Sequence, residues 1–261
     1  MIHPTAIIDP SICVPEDCQI GPFCILEAGI HLGHSVVLES NVVLKQGVTL
    51  GDHVRIHANV VLGDVPQIVH QTFDFVSGVN IGHNTVIREG VTIHRASKEG
   101  HETCVGSHCL LMAYSHVGHD SKVGNECILA NQALLAGCVV VQDHVFLSGG
   151  SMVHQFVHIG ESAFVSGNAE ITMHVPPFVT VLDRNMVANL NVVGLHRRGF
   201  DSKEVSDIKN LYRQIYGENL SFKKKAAELL QNQSYATDKG QQFLEFFVQD
   251  APDRGFVYPK S

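Results

Sequence analysis

From Val105 to Ile171 every sixth residue is aliphatic: Val105, Leu111, Val117, Val123, Leu129, Leu135, Val141, Leu147, Val153, Ile159, Val165 and Ile171. The same rhythm runs earlier, from Ile8 through Val14 and Ile20 to Leu62. A period of six fits neither a lone strand nor a helix, and self-similarity at a fixed short period marks a solenoid. The position two before each aliphatic is small or β-branched, as at Cys18, Cys24, Val36 and Val42, and Gly often follows it, as at Gly21, Gly33 and Gly51. This predicts a short strand with its aliphatic inward, then a corner where Gly tolerates positive φ. Three such sides close a triangular coil of 18 residues. Coils stacked as parallel strands lie about 4.8 Å apart, so residues 18 apart share a column.

The rhythm breaks twice. Residues 64–80 are an excursion, after which it resumes one residue out of phase at Ile81. A second, polar excursion runs from Arg95 to Cys104. Long excursions from a rigid scaffold are where function tends to lie. The solenoid is expected to end near Pro176-Pro177, with irregular chain to Gly199. The spacing then becomes helical. Val205, Ile208, Leu211, Tyr212 and Ile215 recur at i, i+3 and i+4, behind a capping box at Asp201 and Glu204. Ser221 is placed to cap a second helix, and Thr237 or Asp238 a third carrying Phe243, Phe246 and Phe247. The expectation is a mainly β chain: a parallel β-helix over 1–180, then a linker and α-helical domain over 181–261.

Composition narrows the function. A net charge of −8 argues against a nucleic-acid partner, which favours a basic face. No apolar stretch approaches 20 residues and no basic-then-apolar leader is visible, so no integral membrane segment is expected. The seven Cys form no CxxC pattern and are read as reduced core thiols of a soluble cytoplasmic protein.

The best candidate chemistry lies inside the long run, at His116-Val117-Gly118-His119-Asp120. His119 shares a column with Gly137 and Gln155, and Asp120 shares one with Cys138 and Phe156. Strand spacing puts the Gly137 N–H about 5 Å from His119. An imidazole titrating near neutrality can take a proton from a hydroxyl, and a neighbouring N–H can hold an oxyanion. The pair fits acyl transfer. His154 and Gln155, one coil further, suit a substrate's phosphates or sugar. A zinc reading draws on His53, His57, His94, His116 and His119, but zinc needs three imidazoles converging at about 2 Å, and no metal is expected.

Four motifs carry a family resemblance: Ile87-Arg88-Glu89 with Val91-Thr92-Ile93-His94-Arg95; His116-x-x-His119-Asp120 with Ile128-Leu129-Ala130-Asn131; Val153-His154-Gln155-Phe156; and Gly194-Leu195-His196-Arg197-Arg198-Gly199-Phe200. With the repeats, they resemble the acyl-carrier-protein-dependent UDP-N-acetylglucosamine O-acyltransferases, which begin lipid A biosynthesis. The resemblance implies a left-handed β-helix, a homotrimer with sites between subunits, and transfer of an (R)-3-hydroxyacyl group to the sugar 3-hydroxyl. It implies no cofactor, the acyl donor riding on the phosphopantetheine of acyl carrier protein. By resemblance His119 is the general base, Asp120 supports it, and the Gly137 N–H is the oxyanion donor. His116 lines the acyl or sugar pocket. His154, Gln155, Asn191, Arg197 and Arg198 bind the nucleotide or phosphopantetheine. Gln67 is a retained contact, and Gly167 falls where acyl length is measured.

Departures stand beside these matches. Cys138 replaces a usual His in the substrate site. Ile68, His70, Val193 and Asn185 replace an acidic residue, a Lys, a Glu and a pocket His. Three alternatives follow: an amine-acylating paralogue acting on a UDP-2,3-diamino sugar, a non-catalytic scaffold or carrier-binding protein, and Cys138 as a nucleophile.

Overall fold

In a computed structural model the described residues are 1–217 and 221–259; the parts of the expected C-terminal domain at 218–220 and 260–261 lie outside them. Strands of mostly two residues form three sheets of nine, seven and eleven strands. Each full coil from His31 on contributes one strand to each sheet, in parallel register. Within the last block the step is 18, as in His116 against Leu134 and Lys122 against Val140. The sheets are the faces of a left-handed β-helix, as in solved structures of the same architecture. Inside, the sixth-position aliphatics and the residues two before them are buried from Cys18 and Ile20 to Ala169 and Ile171, apart from the partly buried Leu32.

The corners correct one expectation. Apart from Gly63 (86°), at the start of the first excursion, the glycines that follow the aliphatic, such as Gly21, Gly33, Gly51, Gly106 and Gly118, are not in the left-handed region. Positive φ falls two residues later, at Asp120 (60°), Cys138 (60°) and Phe156 (64°) in one column. At Gly106 and Gly118 the constraint is space, because the next coil passes close to where a side chain would be. A Cβ on Gly106 would lie 2.6 Å from the backbone carbon of Gly124, and one on Gly118 would lie 2.6 Å from that of Ala136.

The expectation of core thiols also needs correction. Cys18, Cys24, Cys109 and Cys127 are buried, Cys13 is exposed, and Cys104 and Cys138 are half-buried.

The end of the β-helix differs too. Beyond Pro177, Val179–Leu182 adds one more parallel strand to the eleven-stranded sheet, and Met186–Leu190 pairs with it antiparallel. A short helix α1 (Val192–Arg197) follows. Sequence reading takes this stretch as irregular because it lacks the period of six. Helices α2 (Ser202–Tyr216), α3 (Phe222–Gln231) and α4 (Asp238–Val248) match the helical spacing. The Asp201–Glu204 capping box forms, and the Thr237 hydroxyl accepts from Gly240 N–H. Ser221 occupies its cap position but its side chain makes no cap bond. Buried Asp207 ties α2 to the start of α4 by accepting from Ala236 N–H (2.9 Å) and Thr237 O–H (2.8 Å). Tyr216, Phe222 and Phe243 pack edge to face on Phe247, with Phe256 tilted against the same ring, which accounts for the late aromatics.

The coil-to-coil approach predicts unequal costs for two glycines. Gly106→Ala should destabilise the chain by about 2 kcal/mol or more, since backbone must move. Gly100→Ala, where the added Cβ meets nothing within 4 Å, should cost only the left-handed penalty of about 1 kcal/mol. Urea unfolding midpoints of the two variants measure the difference.

Candidate active site

His119 and Asp120 sit at the corner between the nine-stranded sheet, entered at His116–Val117, and the seven-stranded sheet, entered at Lys122–Val123. His119 Nδ1 lies 2.6 Å from Asp120 Oδ2. Asp120 is itself fixed by two groups from the second excursion: its Oδ1 accepts from Ser97 N–H (3.0 Å) and its N–H donates to buried Thr103 Oγ1 (2.8 Å). Burial alone would raise the Asp120 carboxyl, but the bonds from Ser97 and His119 outweigh it and hold the group below its ordinary pKa. An ionised Asp120 therefore accepts a hydrogen bond from Nδ1–H, which fixes the proton on Nδ1 and leaves the Nε2 lone pair free to accept.

Nε2 faces Gly137. A Cβ there would lie 2.5 Å from His119 Cε1, so only glycine fits under the ring. At some corners of the solenoid the corresponding N–H is covered by a neighbouring coil's side chain, as where Ser107 N–H donates to Asn125 Oδ1 (2.9 Å) and Asn125 N–H to Asp143 Oδ1 (2.7 Å). At others, as at Asn131 and Gln155, it has no acceptor among the described residues. Among the described residues no acceptor meets the Gly137 N–H. An uncommitted donor beside a basic nitrogen is the arrangement that acyl transfer requires.

Beside this corner a groove of about 470 Å³ lies over the outer face of the nine-stranded sheet, lined by the corner's neighbours His116, Ala136 and His154 rather than by His119 or Gly137. Leu134 and Met152 also line it, with Gln67 reaching in from the first excursion. Gln155 lies exposed at the next corner of the His119 column. Arg95 joins the two excursions, its guanidinium donating to the carbonyls of Phe73 and Phe75 (2.7 and 2.5 Å). His116 Nδ1 bonds Thr92 Oγ1 at 2.7 Å and its ring packs on His94. Burial, with His94 adding to it, lowers the His116 pKa to about 4, so the ring lines the groove in neutral form. Burial, reinforced by the charge of Asp120, raises the Cys138 thiol, which disfavours the nucleophilic thiolate.

Not every candidate is brought together. Asn191, Arg197 and Arg198 line a separate cavity of about 480 Å³ over the eleven-stranded sheet, with His144 and Phe146. Val193 lies in the same cavity. Gly167 sits at the opposite edge of the nine-stranded sheet, next to Gly149. Asn185 is buried and structural, its Oδ1 accepting from Thr172 and Met173 N–H. His53 and His57 lie away from His119; His57 pairs with Glu39 and Glu89. Thr92, Ser97 and Thr103 were missed as supports. The 18-residue column rule fails across the excursion, where Thr92 aligns with His116, 24 positions on.

This fold and corner site define a hexapeptide-repeat acyltransferase. Residues 29–64 match the bacterial transferase hexapeptide model, and residues 174–257 match the model for domain 2 of UDP-N-acetylglucosamine O-acyltransferase. An acyl-carrier-protein–UDP-N-acetylglucosamine O-acyltransferase of Herminiimonas arsenicoxydans is 33% identical over 261 residues, covering 98% of this chain and 99% of that one. That of Stutzerimonas stutzeri is 40% identical over 235 residues, covering 89% and 90%. The solved UDP-N-acetylglucosamine acyltransferase of Francisella novicida superposes with a TM-score of 0.93 at 32% identity, covering 100% of this chain and 95% of that one. The chain belongs to the acyl-carrier-protein-dependent UDP-N-acetylglucosamine O-acyltransferase family.

Burial also predicts the pH response. His94, His116, His158 and His174 are all held below the ordinary histidine pKa of 6.5, chiefly by burial. Unfolding frees them to take up protons, so stability is full above about pH 6.5 and falls as pH drops toward 4. His116→Gln should make that fall shallower by on the order of 1–3 kcal/mol, read from urea midpoints across this pH range.

Proposed function

We propose that this chain transfers an (R)-3-hydroxyacyl group from acyl carrier protein to the 3-hydroxyl of UDP-N-acetylglucosamine, the first step of lipid A biosynthesis. The observation that carries the reading is the His119–Asp120 pair with Nε2 over the free Gly137 N–H. Nε2 takes the proton of the sugar hydroxyl as its oxygen attacks the thioester carbonyl. The carbonyl oxygen gains charge and is held by the Gly137 N–H. The tetrahedral species collapses, the C–S bond breaks, and the phosphopantetheine sulfur leaves with the proton from His119. Asp120 stays ionised and steadies the imidazolium. The chemistry uses no cofactor and forms no covalent link to the enzyme. The acyl chain occupies the groove of Leu134 and Met152, with Gln67, His116, Cys138, His154 and Gln155 around the sugar and carbonyl.

Asn191, Arg197 and Arg198 supply anion-binding groups for the nucleotide or phosphopantetheine, but on another sheet of the same copy. A homotrimer resolves this by setting the nine-stranded sheet of one copy against the eleven-stranded sheet of the next. The outward row Ile7, Ile25, Leu134 and Met152, all exposed and all on the nine-stranded sheet, suits such a covering. The helical domain helps dock the carrier protein, and the cytoplasm, where acyl carrier protein works, is the expected compartment. Gly167 leaves room for a longer acyl chain.

The test compares initial rates on UDP-N-acetylglucosamine and on the matching 3-amino sugar, with one 3-hydroxyacyl carrier protein as donor. The hydroxyl substrate should turn over faster by about tenfold or more. Preference for the amine would replace this reading with N-acylation, and no transfer to either would leave a binding protein.

A further inference from the structure

One ligand atom each from His119, Asp120 and Cys138 lies within 4.8 Å of the others, and all three residues are half-buried. Among the described residues no other such group of histidine, cysteine and carboxylate atoms occurs. Its members are held by backbone rather than by flexible loops. Asp120 and Cys138 occupy the same left-handed corner in successive coils, and Cys138 N–H donates to His119 C=O at 2.8 Å. From these observations we propose that His119, Asp120 and Cys138 bind a divalent ion of the zinc class, and that the bound ion shuts off acyl transfer. The second half rests on the reading of His119 as the base.

The donor chemistry selects the ion. One nitrogen, one carboxylate oxygen and one sulfur suit Zn²⁺ or Co²⁺, whereas Mg²⁺ and Ca²⁺ require sets made of oxygen. Tetrahedral zinc keeps its ligand atoms about 3.3–3.8 Å apart, so small side-chain rotations close the site, with solvent as fourth ligand. His94 and His116, the imidazoles nearest the pair, stay uncharged near neutral pH and do not repel a dication. Lys98 is the cation that opposes the ion from the second excursion.

The balance of protons explains the inhibition. As the S–metal bond forms, the Cys138 thiol releases one proton to solvent. If the ion takes Nδ1, the ring proton moves to Nε2, which becomes a donor and no longer accepts from the sugar hydroxyl. If it takes Nε2, the lone pair is used directly. The base is lost either way, and chelation restores it. A histidine at position 138 would offer a nitrogen here instead of a thiolate.

Chelator-treated full-length protein titrated with Co²⁺ tests the site without substrate. The account expects a thiolate-to-cobalt charge-transfer band saturating at about one ion per chain. Cys138→Ser should abolish the band and Asp120→Asn should weaken Co²⁺ binding by about tenfold or more, while Cys13→Ser keeps both. Zn²⁺ at saturating level should stop acyl transfer reversibly. In Cys138→Ser, inhibition relative to that variant's own metal-free rate should need at least about tenfold more Zn²⁺. Absence of the band, or its survival in Cys138→Ser, overturns the site. A band with undiminished turnover overturns the inhibition. If the metal-free enzyme transfers no acyl group at all, the reading of function fails instead, and the band alone decides the site.

Discussion

The structure depends on one constraint: each coil must give its backbone hydrogen bonds to the next. Gly118 N–H donates to Leu135 C=O, Ala136 N–H to Val153 C=O, and His154 N–H to Ile171 C=O. A ladder of this kind admits no slip, because a shift of one residue would turn every inward aliphatic outward. It also fixes what stands beside what. Gly137 lies under His119 because the coil has a set length, and the ring keeps its place because glycine alone fits there.

The two excursions modify that rule without breaking the ladder. Both leave and re-enter the nine- and seven-stranded sheets, so both emerge near the same corner. The first delivers Gln67 to the groove, and the second delivers Ser97 and Thr103 to Asp120. A regular solenoid presents the same polar corner in every coil. The inserted chain makes this corner different, by fixing a carboxylate that in turn fixes the imidazole.

The solenoid was legible because its signal is a strict period, and the helices because Asp201, Glu204 and Thr237 carry cap chemistry with local physical meaning. The corner column of His119 and Gly137 followed from counting in steps of 18. Counting failed where the coil length changes: Thr92 meets His116 across 24 residues, so the bond between them was invisible to the period. It failed again at Val179–Leu190, where two strands outside the period of six close the prism. The role of glycine was misread for a different reason. Sequence shows that glycine is required, but only the approach of the neighbouring coil shows whether φ or space requires it.

The central claim is that His119 Nε2 removes the acceptor's proton while the rest of the machine only positions substrates. Steady-state kinetics of His119→Ala on acyl carrier protein and UDP-N-acetylglucosamine tests it most directly, with circular dichroism to check that the β-helix is intact. The account predicts a fall in kcat of about 10² or more with KM little changed. A folded variant that keeps the parental kcat would contradict it.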